Sequence, residues 1–280
     1  MMKSLYDVPA PAKLNLFLHI TGRRADGYHI LQTAMALIDW CDTLHFELRH
    51  GSAISREDLG VGLPEDDLIV RAARALQAAT GTTCGVHIQV DKRIPSQAGM
   101  GGGSSDAAST LLALHRLWNL KLPVRALAQI GLQLGADVPF FLFGGNAWVE
   151  GIGEKISPLE IPIGQFVVVK PPHGLDTRLI FSDANLKRDS EAAILAGFAG
   201  NPSGFGRNDM QLVAQRLCPG ISQALEWLAA QGLSGRMTGS GSAVFAWAPA
   251  ELALNAAPAG FEVRSCRGLK VHPLAGWAKI

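Results

Sequence analysis

Three short stretches of this chain hold groups that could handle a phosphate and a reactive hydroxyl. The first is Pro95-Ser96-Gln97-Ala98-Gly99-Met100-Gly101-Gly102-Gly103-Ser104-Ser105. Four glycines in five residues let the backbone take positive φ and present N–H groups with no side chain in the way. Ahead of a helix, such a loop turns several free N–H donors and the positive end of the helix dipole toward one point. That is an anion site, and phosphate is the anion it suits. Ser104 and Ser105 add hydroxyls for phosphate oxygens or a bound Mg2+. A flexible Gly/Ser turn is the plainer reading, yet a mere linker has no need to join a strand to an amphipathic helix. Two better-known loops are excluded. Walker A requires a lysine that this loop lacks, and the dinucleotide fingerprint requires a third glycine where Ser104 stands.

The second stretch, Leu134–Phe141, carries Asp137 as a lone carboxylate in apolar company. It reads either as the N-cap of the next turn or as a base or orienting group for a nucleophilic hydroxyl. The third, Pro9–Leu16, places Lys13 and Asn15 on one side of an opening strand, opposite its leucine face. A lysine there is ordinarily solvated; beside a phosphate loop it becomes a cation that could pair with Asp137. A further glycine-rich turn, Arg236–Phe245, is explained equally well by a hairpin.

The elements that position these groups are visible in the hydrophobic pattern. Leu14, Leu16, Leu18 and Ile20 alternate with period 2, predicting a strand, and Trp40–Arg49 and Val86–Val90 read as two more. Asp66 or Asp67 can cap a helix that buries Ile69, Ala72, Ala73 and Leu76 and stops near Gly81. The pattern predicts a second helix over Asp106–Trp118. Pro123 opens a third, which Gly135 closes. Gly144–Gly153 reads as a hairpin or tight turn. Pro158, Pro162 and Gly164 then punctuate the chain before a strand at Phe166–Lys170, placing a domain boundary near residue 157. Beyond it come helices around Met210–Leu217 and Ile221–Ala230 and strands Ala243–Ala248 and Phe261–Cys266. Strands and helices are interspersed without strict βαβ alternation, so the fold class is α+β rather than doubly wound.

Composition removes several classes of function. The 280 residues are 48% hydrophobic and 18% charged, enough to bury a real core. Lysine and arginine number 25 against 24 acids, a formal net charge of +1, so no electrostatic footprint for nucleic acid is present. No run reaches the ~18 apolar residues of a membrane span. Asn15 and His19 interrupt the apolar N-terminal stretch, and no cleavage site follows it before Arg23 and Arg24. Cys41, Cys84, Cys218 and Cys266 are widely spaced, as four buried reduced thiols would be. The chain is expected in the cytoplasm, and a local basic pocket for an anionic small molecule stays open; the sequence does not fix the oligomeric state, monomer or weak homodimer.

Together the motifs resemble the GHMP small-molecule kinase superfamily, with its Pro-x-x-Ala-Lys-type strand, its Pro-x-x-x-Gly-x-Gly-Ser-Ser loop and its C-terminal glycine-rich turn, in that order along nearly the whole chain. The residues that carry the likeness are Ala10–Leu16, Arg24–His29 (Arg-Ala-Asp-Gly-Tyr-His), Gly99–Asp106 and Leu134–Pro139. Arg24–His29 makes the chain similar to the branch that phosphorylates the 2-hydroxyl of a cytidine-diphosphate-linked methylerythritol on the route to isoprenoids. The resemblance implies two domains, 1–157 binding ATP and 158–280 completing the substrate site, with the active-site cleft between them. It implies Asp137 as catalytic aspartate, Lys13 as its partner, Pro95–Ser105 as the holder of the ATP phosphates with Mg2+, and Leu68 and Lys92 near the adenine. It places Asn15, Tyr28, His29, Thr177 and Phe181 on the substrate, with Phe181 the second stacking partner beside Tyr28, and Met35 as a softer wall of the base pocket. A homoserine, mevalonate or sugar kinase would offer no base for Tyr28 and His29 to meet. A silent nucleotide-binding relative would have no chemical need for both Lys13 and Asp137.

Overall fold

The computed structural model describes residues 3–278. Its opening strand β1 spans Ser4–Arg23, and a tight turn returns the chain as β2, His29–Arg49. Gly27 takes φ +93° in that turn and its N–H donates to Arg24 O at 3.0 Å, so Asp26-Gly27 is the hairpin turn its residue types suggest. Then come β3 (Ile54–Asp58), α1 (Leu68–Thr80), β4 (Gly85–Asp91), α2 (Gly102–Leu117), α3 (Val124–Leu134), α4 (Val138–Phe143), β5 (Ala147–Gly151) and β6 (Lys155–Pro158). The remainder is β7 (Gln165–Lys170), α5 (Thr177–Ser182), α6 (Leu195–Gly200), α7 (Gln211–Leu217), α8 (Gly220–Ala230), β8 (Arg236–Met237), β9 (Val244–Ala248) and β10 (Glu262–Leu269).

Among the described ladders only β3–β4 is parallel; the others are antiparallel, as an α+β fold requires. The sheet path is β3-β4-β2-β10-β7-β9-β8, with β1 and the β5–β6 hairpin also paired to β2. The long strand β2 therefore serves four neighbours along its length. The β1–β2 register shifts at Leu5/Val8, Pro11/Lys13, Asn15/Phe17 and Ile20/Gly22. Each shift turns the following side chains, so one strand feeds three cores. Val8 and Ala10 pack under the α1–α4 layer, Leu14 and Leu16 enter a second cluster, and Leu18 and Ile20 a third. This corrects the expectation of one leucine face opposite solvent, because Ala10–Ile20 is buried on both sides. Lys13 and Asn15 thus reach the interior.

Helix α1 forms as its sequence dictates. Asp67 is the N-cap, accepting from Val70 N, and Gly81 closes the helix in the left-handed conformation. Burying Ile69 and Leu76 stabilises the packing by roughly 2 kcal/mol each. Helix α2 begins at Gly102 rather than Asp106, after Gly101 at φ +72°. Glycine is a poor helix former, yet Gly102 and Gly103 lie against Ile94 and Leu68, and this packing draws both into the first turn. The C-terminal segment returns to the first layer, where Leu274 and Ala278 join its core. Cys218 and Cys266 are buried, but Cys41 and Cys84 are only half-buried; all four thiols are free.

Candidate active site

The first shift in the β1 ladder that matters chemically is the one at Pro11/Lys13, which brings Lys13 inside with 3% of its surface exposed. An ammonium has three protons, and three oxygens meet them. These are Gly99 O at 2.8 Å, Asn15 Oδ1, and Asp137 Oδ2 at 3.4 Å. Asn15 in turn donates from Nδ2 to Thr33 Oγ1 at 3.0 Å, and its backbone N–H donates to Thr238 Oγ1 at 2.9 Å. Asp137 precedes α4 but makes no side-chain cap bond, so the capping alternative does not describe it. Its carboxylate faces Lys13 and keeps about a third of its surface open.

The glycine loop lies directly above. The first bond of α2 is Ser105 N to Gly101 O at 2.8 Å. The N–H groups of Gly102, Gly103 and Ser104 are therefore unpaired within the helix and point off its end. Here Gly101 carries a conformational requirement: beyond its positive φ, a Cβ would stand 3.0 Å from Phe141 and 3.2 Å from Lys13. Ser105 does not reach the groove. It is fully buried and its hydroxyl donates to Pro11 O at 2.7 Å, tying α2 to β1. Ser104 is the hydroxyl that faces the opening.

Three cavities run into one another here. An inner one of about 610 Å³ is lined by Pro95–Ser104, Leu68, Lys92 and Asp106, with Asp176–Arg178 and Ser240 opposite. A middle one of about 290 Å³ holds Lys13, Asn15, Asp137, Thr177 and Phe181. An outer one of about 810 Å³ holds Tyr28, His29, Arg23, Arg178 and again Phe181. Gly99, Ser104, Thr177 and Ser240 belong to the first two, and Leu31, Ala136, Ile152 and Phe181 to the second and third. The groove is continuous, with the Lys13–Asp137 pair at its centre. Met35 lines the middle cavity, not the outer one, because its place in β2 opposite Asn15 turns it toward the buried end.

At the outer end Phe181 stacks on His29, ring centroids 4.7 Å apart and 20° from parallel, while Tyr28 stands 61% exposed. Phe181 thus packs on His29, and both rings line the outer cavity together with Tyr28. Arg188 Nε donates to His29 Nε2 at 3.0 Å, so the ring proton sits on Nδ1. Burial lowers the His29 pKa, and the Arg188 and Arg23 charges lower it further. His29 is a neutral ring with one N–H to give.

Lys92 occupies the floor of the inner cavity, where sequence gave no hint of its partners. Its ammonium binds Asp42 and, at 2.5 Å, Asp106. Both carboxylates are sealed from solvent, and Asp42 also accepts from Arg93 N and Ile94 N. Burial pushes the Asp106 carboxyl up to about 8; Lys92 pulls against this and the Asp42 charge adds to it. Burial opposes the charge on Lys92, but Asp106 and Asp42 outweigh it and its pKa is raised. Two sealed carboxylates facing one lysine resist carrying both negative charges at once, and the pair titrates as a unit. Arg56 binds Asp58, Asp67 and the Leu63 and Pro64 carbonyls, bracing the loop at the rim.

The turn that a hairpin would explain equally well proves to be a wall of the site. Ser242 N donates to Gln97 O at 3.0 Å and Ala243 N to Ala98 O at 3.2 Å, so the two glycine-rich segments interlock. Thr177 Oγ1 bonds Ser240 Oγ at 2.6 Å across the groove. The only sequence signal for this wall was its glycine content. No group of three His, Cys, Asp or Glu side chains able to hold a metal occurs among the described residues. Nor is any helix among them long and apolar enough to cross a membrane.

Comparison with known proteins bears on what this groove serves. The profile of the GHMP kinases N terminal domain matches residues 67–145, and that of the GHMP kinases C terminal matches residues 190–263. A protein of Albidiferax ferrireducens named 4-diphosphocytidyl-2-C-methyl-D-erythritol kinase is 70% identical over 277 residues, 99% of this chain and 96% of its own. A crystal structure of 4-(cytidine 5'-diphospho)-2C-methyl-D-erythritol kinase superposes with a TM-score of 0.73 at 32% identity, covering 93% of this chain and 98% of that one. Homoserine kinase from Cytophaga hutchinsonii has a TM-score of 0.71 at 15% identity over 97% and 96% of the two chains, a likeness of fold alone.

Proposed function

The chain belongs to the GHMP kinases and, within them, to the 4-diphosphocytidyl-2-C-methyl-D-erythritol kinases; from that membership and this groove we propose how it works. It transfers the γ-phosphoryl group of ATP to the 2-hydroxyl of 4-diphosphocytidyl-2-C-methyl-D-erythritol, giving the 2-phosphate and ADP for isoprenoid precursor synthesis. The observation that carries this reading is the Lys13–Asp137 pair, set between a cradle of free N–H groups and a groove whose far end offers aromatic rings.

ATP lies in the inner cavity with its base toward Leu68 and Lys92 and its phosphates on Pro95–Ser104. The N–H groups of Gly102, Gly103 and Ser104 meet the phosphate oxygens where charge accumulates as the phosphoryl group moves. The acceptor hydroxyl enters the middle cavity between Thr177, Asn15 and Asp137. Asp137 accepts its proton as the oxygen attacks the γ-phosphorus and the bond to the β–γ bridging oxygen breaks. Lys13, anchored on Gly99 O and Asn15, fixes the position of Asp137 and offsets charge on the moving group. Because its ammonium is already held, little reorganisation is needed at the moment of transfer. Mg2+ suits the hard oxygen donors available, Ser104 and Asp137 being the protein groups that would share it with the phosphates, and it would supply positive charge against the phosphate oxygens. The cytosine lies in the outer cavity against Tyr28, with His29 Nδ1–H as a donor for its carbonyl. Residues 1–157 form the ATP-binding half, residues 158–280 complete the substrate side, and the protein works in the cytoplasm.

ADP release from Mg-ATP, measured with the cytidylated acceptor and in parallel with homoserine, mevalonate and galactose, tests this. Turnover with the first alone is expected; turnover with another acceptor only would discard the reading of Tyr28 and His29.

A further inference from the structure

The diphosphate of the acceptor needs positive charge at the junction of the middle and outer cavities, and few cations of the groove are free to supply it. Lys13 is spent on Asp137, Asn15 and Gly99 O. Arg23 Nε donates to Gly27 O at 3.0 Å, bracing the 24–28 turn. Arg188 donates to His29 and to the Phe181, Asp183 and Leu186 carbonyls.

Arg178 differs from all of these. It is 90% exposed, and among the described residues its one side-chain partner is the partly open Asp176, with contacts of 2.8–3.2 Å. It lines both the inner and the outer cavity, the ATP end and the base end. Its place on α5 is also ordered along the groove. Thr177 before it bonds Ser240 at the seam of the inner and middle cavities. Phe181, three residues on and on the same helix face, stacks on His29 at the base site. The side chain between them opens onto the outer cavity, through which a chain running from reacting hydroxyl to cytosine carries its phosphates. An exposed pair such as Arg178–Asp176 is worth at most ~1 kcal/mol, so exchanging that carboxylate for a diphosphate is nearly free. The guanidinium fork matches phosphate oxygens as it does a carboxylate.

We propose that Arg178 is a substrate-binding residue that leaves Asp176 and clamps the diphosphate of the cytidylated acceptor. The inference rests on the reading of the groove given above, and Asp176 acts as the resting partner that keeps the cation in place between turnovers.

The test is competitive inhibition by CDP and by cytidine, alongside the KM for ATP, in wild type, Arg178→Gln and Asp176→Asn. Arg178→Gln should weaken CDP about tenfold, the effect of one or two charge-assisted hydrogen bonds, while cytidine inhibition and the KM for ATP stay within about twofold. Asp176 caps α5, accepting from Arg178 N at 2.9 Å; Asp176→Asn keeps that cap but drops the charge, and should tighten CDP by roughly two- to fivefold. Equal weakening of CDP and cytidine would overturn the inference, because the change would then act on the base. A rise in the ATP KM with CDP unaffected would equally overturn it, assigning Arg178 to the nucleotide. A wild-type enzyme indifferent to both CDP and cytidine would instead remove the reading of the outer cavity, and this inference with it. Arg178 is exposed enough that a loss of fold is not expected, and thermal unfolding of each variant checks that directly.

Discussion

Gly99→Ala separates the geometry of this site from its composition. Gly99 sits at φ +71°, and a Cβ there would fall 2.2 Å from Thr238 O and 2.8 Å from Gly241 N. Ordinary contact begins near 3.4 Å, so the phosphate loop and the C-terminal turn must part by at least about 1 Å to admit one methyl group. The left-handed conformation adds ~1–2 kcal/mol for alanine, and the forced contact a further ~1–3 kcal/mol. The protein should still fold, with a lower unfolding temperature. The larger effect falls on rate, because Gly99 O is an anchor of Lys13. A displacement of about 1 Å at a positioning group lowers turnover roughly 100-fold, so kcat should fall by that order. Gly103→Ala is the contrast from within the same motif. Gly103 lies in the first turn of α2, and its Cβ would meet Leu68 at 3.4 Å, so stability should hold or rise by up to ~1 kcal/mol. Steady-state kinetics and thermal unfolding of both variants decide the matter. Wild-type kcat in Gly99→Ala, or equal unfolding shifts in the two variants, would refute the claim that the interlocked loops set the position of Lys13.

Asp137→Asn should lower kcat by ~10²–10⁴-fold with the ATP KM within about twofold; steady-state assays varying each substrate read both. Tyr28→Ala should raise the KM for the cytidylated acceptor roughly tenfold, since base stacking on an aromatic ring contributes ~1–3 kcal/mol, and titration with cytidine shows whether the base is what is lost. Lys92→Met leaves Asp42 and Asp106 facing each other in a sealed site, and should destabilise the fold by about 3–5 kcal/mol, with Lys92→Met/Asp106→Asn recovering part of that in urea unfolding. The raised Asp106 pKa, about 8, means the folded state holds a proton that the unfolded state has released above its ordinary value near 4. Stability from this group is therefore present at low pH and falls as pH rises toward 8, by up to about 3 kcal/mol between pH 6 and 9. Asp106→Asn should flatten that fall, and a fall as steep as wild type would contradict the assignment of the proton.

How much of this was legible in the sequence depended on whether a group's partner lay nearby in the chain. The glycine loop, the Asp67 cap, the Gly81 stop and the Asp26-Gly27 turn follow local rules, so residue types sufficed. Lys13 and Asp137 could be suspected as a pair only because the loop between them supplied a reason. The destination of Lys13 depends on a register shift at Pro11, which no periodicity reveals. The partners of Lys92 lie 50 and 14 residues away and meet only because β2, β4 and α2 converge at the loop. The C-terminal turn looked like any hairpin because its function lies in backbone bonds to Gln97 and Ala98, and backbone contacts leave no mark on residue type. Ser105 shows the reverse error, since a serine beside a phosphate loop invites a ligand role while its hydroxyl is occupied by Pro11 O.

The cations of the groove divide its work by burial. Lys13 is almost wholly enclosed and fully partnered, and in the proposed mechanism it stands where charge moves during transfer. A fixed charge there needs no reorganisation as the reaction proceeds, which is the condition for favouring the transition state over the bound substrate. Lys92, also enclosed, faces two carboxylates, so little of its charge is left for a ligand and its main effect is to join β4 to α2 beneath the loop. Arg178 lies at the other extreme, exposed and loosely held. Mobility costs little there, because a diphosphate remote from the reacting hydroxyl keeps its charge throughout the reaction. Binding energy from that contact lowers KM without altering the barrier to transfer. Removing Lys13 should therefore appear in kcat, and removing Arg178 in the KM for the acceptor.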